Sequence, residues 1–130
     1  MKRTRRSREI TNIDDPQRGR WGRRSRRGGR RLFVELLNTE GRIFQFNAVV
    51  ESTDGSSLEG PVVFYLHDTY PKSVIWIRKI HEGRRAVLEE VTSYGVYTIG
   101  AQVKNAQGKW IGLEFNLAKL DDLPERFKER

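Results

Sequence analysis

From Leu32 onward apolar and β-branched side chains alternate with polar ones in short runs, the period of strands with one face buried and the other wet. The runs predict seven strands, at Leu32–Leu37, Ile43–Glu51, Val62–Leu66, Val74–Lys79, Ala86–Val91, Val96–Lys104 and Trp110–Leu117. Between them stand Asn38 to Gly41, Asp54 to Ser57, Gly60-Pro61, Glu82-Gly83 and Gln107-Gly108, which supply positive φ or Asx-type turns. No stretch of helical period separates the strands, so the helical crossovers of a parallel sheet are missing. The expected fold is all-β, an immunoglobulin-like antiparallel β-sandwich. Only the tail from Ala118 to Arg130 has the character of a short helical turn.

Before Leu32 the pattern changes in kind. Arg and Gly dominate from Arg18 to Arg31, and apolar residues are nearly absent. Such a segment buries too little surface to offset the entropy lost on ordering, so residues 1–31 are expected to form a partly disordered, arginine-rich arm. The sandwich domain is then residues 32–130. Nothing before about Asp14 carries apolar surface, and folding should not need that part. Trp21, set between Gly19-Arg20 and Gly22, is the exception in the arm, because an indole gains by docking on the sandwich.

Charge follows the same division. The net charge is +8, but residues 1–31 hold thirteen Lys or Arg against Glu9, Asp14 and Asp15, while the remainder is slightly acidic. Any attraction to polyanions therefore belongs to the arm, centred on Arg23, Arg24, Arg26, Arg27, Arg30 and Arg31. Charge of this kind supplies affinity for nucleic acid without sequence readout; the alternative is a solvated extension.

Other chemistry is scarce. With 130 residues there is room for one domain. The absence of cysteine excludes disulfides, thiolate zinc sites and a cysteine nucleophile. His67 and His81 fall on different loops and build neither a zincin helix nor a three-histidine site. There is no P-loop, nucleophile elbow or dinucleotide fingerprint, so neither enzyme activity nor a cofactor nor a metal is expected. The longest apolar run, Val62 to Leu66, is far short of the roughly 20 residues that span a bilayer. Met1 to Ile10 lead into polar residues rather than a signal-peptide core, and a cytoplasmic location without membrane partners is expected.

Two loop motifs carry a family likeness. Leu66-His67-Asp68-Thr69-Tyr70-Pro71 resembles the YEATS-domain loop that reads Leu-His, any residue, Ser or Thr, then an aromatic. Ser93-Tyr94-Gly95-Val96-Tyr97 resembles the second YEATS loop, an aromatic flanked by small residues with another aromatic soon after. The likeness is closest to the prokaryotic branch. There Asp15-Pro16-Gln17, Gly19-Arg20-Trp21-Gly22 and Gly29-Arg30-Arg31-Leu32 are similar to the N-terminal lead. Tyr97-Thr98-Ile99-Gly100-Ala101, Leu113 to Ala118 and Leu123-Pro124-Glu125-Arg126-Phe127 are similar to the ending.

The resemblance implies a YEATS-like sandwich whose two loops form an aromatic slot, which in eukaryotic members reads acylated lysine. Prokaryotic members often accompany signalling or conflict-system modules. On this reading the ligand-binding residues are His67, Thr69, Tyr70, Tyr94, Gly95 and Val96, and the partner is an acylated-lysine peptide or another protein. Tyr70 and Tyr94 would face a flat amide, and ordinary loop packing is the other use for such rings. Thr69 would donate its hydroxyl to the acyl carbonyl, the N–H groups near Tyr94 and Gly95 would add a donor, and His67 would support the loop. Eukaryotic readers usually place a smaller residue where this chain has Val96. An interaction domain with a vestigial slot is a further alternative, as is a nucleic-acid-binding protein that acts through its arm.

Overall fold

The alternation along the chain becomes two antiparallel four-stranded sheets in a computed structural model, which describes residues 14–129. Met1 to Ile13, on which the expectation of a segment dispensable for folding falls, lie outside the described residues. The strands are β1 Arg26–Arg27, β2 Arg30–Asn38, β3 Phe44–Ser52, β4 Val62–Tyr65, β5 Val74–Ile77, β6 Arg85–Ser93, β7 Thr98–Lys104 and β8 Trp110–Asn116. One sheet has the order β1-β2-β3-β6 and the other β5-β4-β7-β8. All seven expected strands are present, with ends shifted by a few residues. The core between the sheets is built from inward positions such as Phe44, Phe46, Val50, Phe64, Ile99 and Leu113.

The chain ends as its composition suggests. The Asn116 side chain accepts the Ala118 N–H and caps a 3-10 turn at Leu117–Lys119. A one-turn helix, α1 Glu125–Lys128, then seats Phe127 edge-on against Phe44 with ring centroids 5.0 Å apart.

The segment before Leu32 is where the structure departs furthest from composition. Gly28 and Gly29 have φ of 58° and 76°, the two left-handed residues of a tight hairpin turn, and they pair β1 with β2. Upstream, residues 14–25 form a strap held by buried polar side chains. The Asp15 carboxylate accepts the backbone N–H and the hydroxyl of Thr98, each at 2.8 Å. Gln17 donates to the Leu66 carbonyl at 3.0 Å and accepts the Trp21 indole N–H at 2.8 Å. Glu114 of β8 accepts the backbone N–H groups of Gly19 and Trp21. Trp21 itself is only 5 % exposed and stacks on Tyr65 with centroids 4.3 Å apart.

Two strand glycines make the socket for that indole. A Cβ on Gly100 would overlap Trp21 Cδ1, and one on Gly112 would lie 2.8 Å from the Trp21 carbonyl oxygen. Neither glycine has a positive φ, so close approach of the strap, not backbone freedom, explains them.

Arg30 points inward from β2 and is 0 % exposed. Its Nε donates to the Lys104 carbonyl of β7 at 2.9 Å, and its two terminal nitrogens donate to Gly29, Ser52, Asp54, Ser56 and Ser57. It thereby ties one sheet to the other through a polar network at the edge of the core. Asp54 accepts from Ser56 through both its hydroxyl and its backbone N–H, with smaller contributions from Ser52 and Arg30. These bonds hold its carboxyl at about 2, below its ordinary 3.8.

A carboxyl depressed on folding stabilises the native state above its unfolded value, and the gain is lost as pH falls from 3.8 through about 2. The wild type is therefore expected to lose urea resistance across that window. Asp54→Asn should be less stable near neutrality and should lose less on acidification, which unfolding curves at about pH 5 and about pH 2 would measure. Parallel pH profiles in the two proteins would refute this role of Asp54.

Candidate functional site

The β4–β5 and β6–β7 loops meet at one end of the sandwich. The first is closed by the Leu66 N–H donating to the Ser73 carbonyl at 2.7 Å, and the Gln17 side chain grips Leu66 as well. In the second, Ser93 Oγ donates to the Gly95 carbonyl at 2.7 Å and accepts the Gly95 N–H at 3.3 Å. Strand β7 starts at Thr98 rather than Val96, so Val96 and Tyr97 belong to this loop. Together the loops line a cleft of ≈ 960 Å³. His67, Thr69, Tyr70, Tyr94, Gly95 and Val96 all line it, so the structure brings the six expected ligand-binding residues to one place.

The hydrogen bonds around His67 decide what Thr69 offers. His67 Nε2 lies 3.0 Å from the Asp14 carbonyl oxygen, an acceptor only, so Nε2 carries the proton. Nδ1 lies 2.9 Å from the Thr69 hydroxyl, 3.2 Å from the Thr69 backbone nitrogen and 3.2 Å from an Asp68 carboxylate oxygen, so the ring ties the loop together through both of its nitrogens. The Thr69 oxygen is left with lone pairs. The Thr69 hydroxyl is engaged by His67 at the cleft wall. The Gly95 N–H is likewise committed, to Ser93. His67 links Thr69 to the Asp14 carbonyl.

Behind this pair a chain of hydroxyls sets the wall. Tyr97, buried at the base, donates to the Tyr70 hydroxyl at 3.1 Å, and Tyr70 donates to the Thr92 carbonyl at 2.6 Å. Burial, reinforced by Tyr70, pushes the Tyr97 phenol far above its ordinary range, so it remains a proton donor. The Tyr97 ring meets both His67 and Tyr70 edge-on at 5.8 Å. Tyr70 thus combines lining with packing. Tyr94 stands 66 % exposed at the opposite loop and is the outer wall.

Sequence reasoning did not place Asp14, Arg42 and Ile43 in this cleft, and they come from elements far away in the chain. Tyr97 carried a signal as the second aromatic of its loop, but not its structural role.

The arm arginines divide. Arg23, Arg24 and Arg26 are exposed, while Arg27 is half-buried with its guanidinium 3.5 Å from the Gly112 carbonyl. Arg31 is paired with Glu51 at 3.3 Å and lies over the Phe33 ring. Arg30, placed among the nucleic-acid contacts on charge alone, is instead buried in the network described above and has no surface to offer a phosphate.

Among the described residues no three His, Asp or Glu side chains form a metal-holding group, and no helix is long and apolar enough to cross a membrane. Two antiparallel sheets with a loop-built aromatic cleft at one end define a β-sandwich binding module. Residues 44–118, from β3 through the 3-10 turn and including both cleft loops, match the family model for the prokaryotic YEATS domain, and the chain belongs to that family. No curated protein and no solved structure matches the chain.

Proposed function

We propose that the cleft binds an acylated lysine side chain presented by a protein partner, and that the module is a non-catalytic reader. The observation that carries this reading is the His67–Thr69 pair. It turns a hydroxyl oxygen toward a cleft whose aromatic walls are Tyr70 and Tyr94. A secondary amide has one N–H and two flat faces. The N–H suits the Thr69 oxygen and the faces suit the rings, whereas the carbonyl is left to solvent and to the backbone of the second loop.

Magnitudes limit the affinity. A ring contact is worth about 0.5 to 1.5 kcal/mol beyond burial. One net hydrogen bond adds about 0.5 to 1.5 kcal/mol. The total of a few kcal/mol corresponds to dissociation constants of about a millimolar unless flanking peptide contacts contribute. An unmodified lysine must shed water from its ammonium in the same cleft, and it brings no acyl plane for the second ring.

The test is a titration of the full chain with acetyl-lysine and unmodified lysine peptides of one sequence. The acetylated peptide should bind more tightly, and Tyr94→Ala and Thr69→Val should each weaken it by about fivefold, the equivalent of roughly 1 kcal/mol. Equal binding of the two peptides, or no loss in either variant, would overturn the reading.

A further inference from the structure

A second cavity, of ≈ 260 Å³, lies where the strap meets the end of β8. Arg18, Arg23 and Ser25 line it from the strap, Glu114 and Asn116 from β8, and Lys119 from the 3-10 turn. Neither Arg23 nor Lys119 has an acceptor or an ion-pair partner among the described residues, and the Ser25 hydroxyl has none either. Asn116 spends its side-chain oxygen on the Ala118 N–H, which leaves its amide N–H groups as donors. Glu114 offsets part of this charge, but both of its oxygens accept strap N–H groups, and the lining keeps more cations than carboxylates. The Thr98 hydroxyl also lines the cavity but is committed to Asp15.

The local backbone supports the placement of Arg23. It adopts φ 62°, a left-handed conformation that is costly for arginine, and its guanidinium lies against Gly19, where a Cβ would meet Arg23 Nη2 at 2.9 Å. A bulkier residue at position 19 would displace that side chain.

We propose that this cavity binds a phosphate monoester group. Arg23, Lys119, the Ser25 hydroxyl and the Asn116 amide supply donors in excess of acceptors, which suits a tetrahedral dianion whose several oxygens only accept. The cavity is smaller than the roughly 300 to 1,000 Å³ of sites that enclose a whole small molecule. The phosphate enters and its substituent stays outside. Donors grouped around one cavity, rather than strung along a groove, favour a monoester over the backbone of a nucleic acid. The site is separate from the aromatic cleft and does not depend on the reader function.

The experiment is a ¹⁵N-edited NMR titration of the full chain at low salt, first with inorganic phosphate and then with phenyl phosphate. Saturable shifts are expected at Ser25, Asn116 and Lys119. Lys119→Gln, on an exposed turn, and Arg23→Asn, which tolerates the left-handed backbone, should together weaken phenyl phosphate by about tenfold or more. Arg26→Gln removes an exposed arm charge outside the cavity and should leave binding unchanged. Equal weakening by Arg26→Gln, or shifts that do not saturate, would reduce the effect to the general field of the arm and overturn the site. So would an oligonucleotide without terminal phosphates that binds in a Lys119-dependent manner while phenyl phosphate does not.

Discussion

Replacing Trp21 by alanine is expected to lower the unfolding free energy by about 3 to 5 kcal/mol, the cost of deleting a buried large aromatic from a packed site. The indole is almost fully buried, stacks on Tyr65 and donates to Gln17, so its loss leaves a cavity and removes one of the two donors to the Gln17 oxygen. Gly100→Ala attacks the same contact from the opposite side, because the new methyl overlaps the indole ring. The two changes should be strongly non-additive, since once Trp21 is gone the alanine meets open space. A chain beginning at Leu32 should lose more still, since Asp15, Gln17 and Arg30 go with the indole. Urea unfolding of the three variants and of the shortened chain measures these effects. An unchanged midpoint for Trp21→Ala would mean that the strap contributes nothing to stability.

Arg30→Met is expected to cost about 3 kcal/mol, near the lower end for breaking a buried ion pair, because the Asp54 side chain is 38 % exposed and can be hydrated when abandoned. A further part of the loss comes from the backbone carbonyls of Lys104, Gly29 and Ser57, which lose the guanidinium as a donor. Arg30→Lys should recover little. An ammonium has three donors at one point, whereas the guanidinium here spans from β7 to the loop after β3 with bonds from all three of its nitrogens. Thermal and urea unfolding of the two variants decide this, and a lysine variant of wild-type stability would show that charge alone is enough.

The aromatic cleft and the core were legible in the sequence because both rest on local rules. The alternation in stretches such as Phe44–Ser52 and Thr98–Lys104 reports which face is buried, and the two loop motifs place His67, Thr69, Tyr70 and Tyr94 at strand ends. The anchoring of His67 was not legible, since its Nε2 bonds the Asp14 carbonyl, 53 residues away in the chain. The strap was misjudged for a related reason. Composition between Arg18 and Arg31 reads as disorder, although Gly28-Gly29 is a recognisable hairpin signal.

By itself, then, the sequence determined the sandwich class, the positions of seven strands and the loops that carry the cleft, because strand periodicity and turn chemistry act between near neighbours. Only the tertiary structure decided that an arginine enters the interior and where the tryptophan expected to dock finds its socket. Arg30 is tolerated because acceptors from β3, β7 and the intervening loop converge on it. Trp21 is held because Gly100 and Gly112, diagonal neighbours on β7 and β8, leave a hollow of its shape. Burial of a polar group, or of an isolated aromatic, depends on partners brought together from distant parts of the chain, and no local pattern records them.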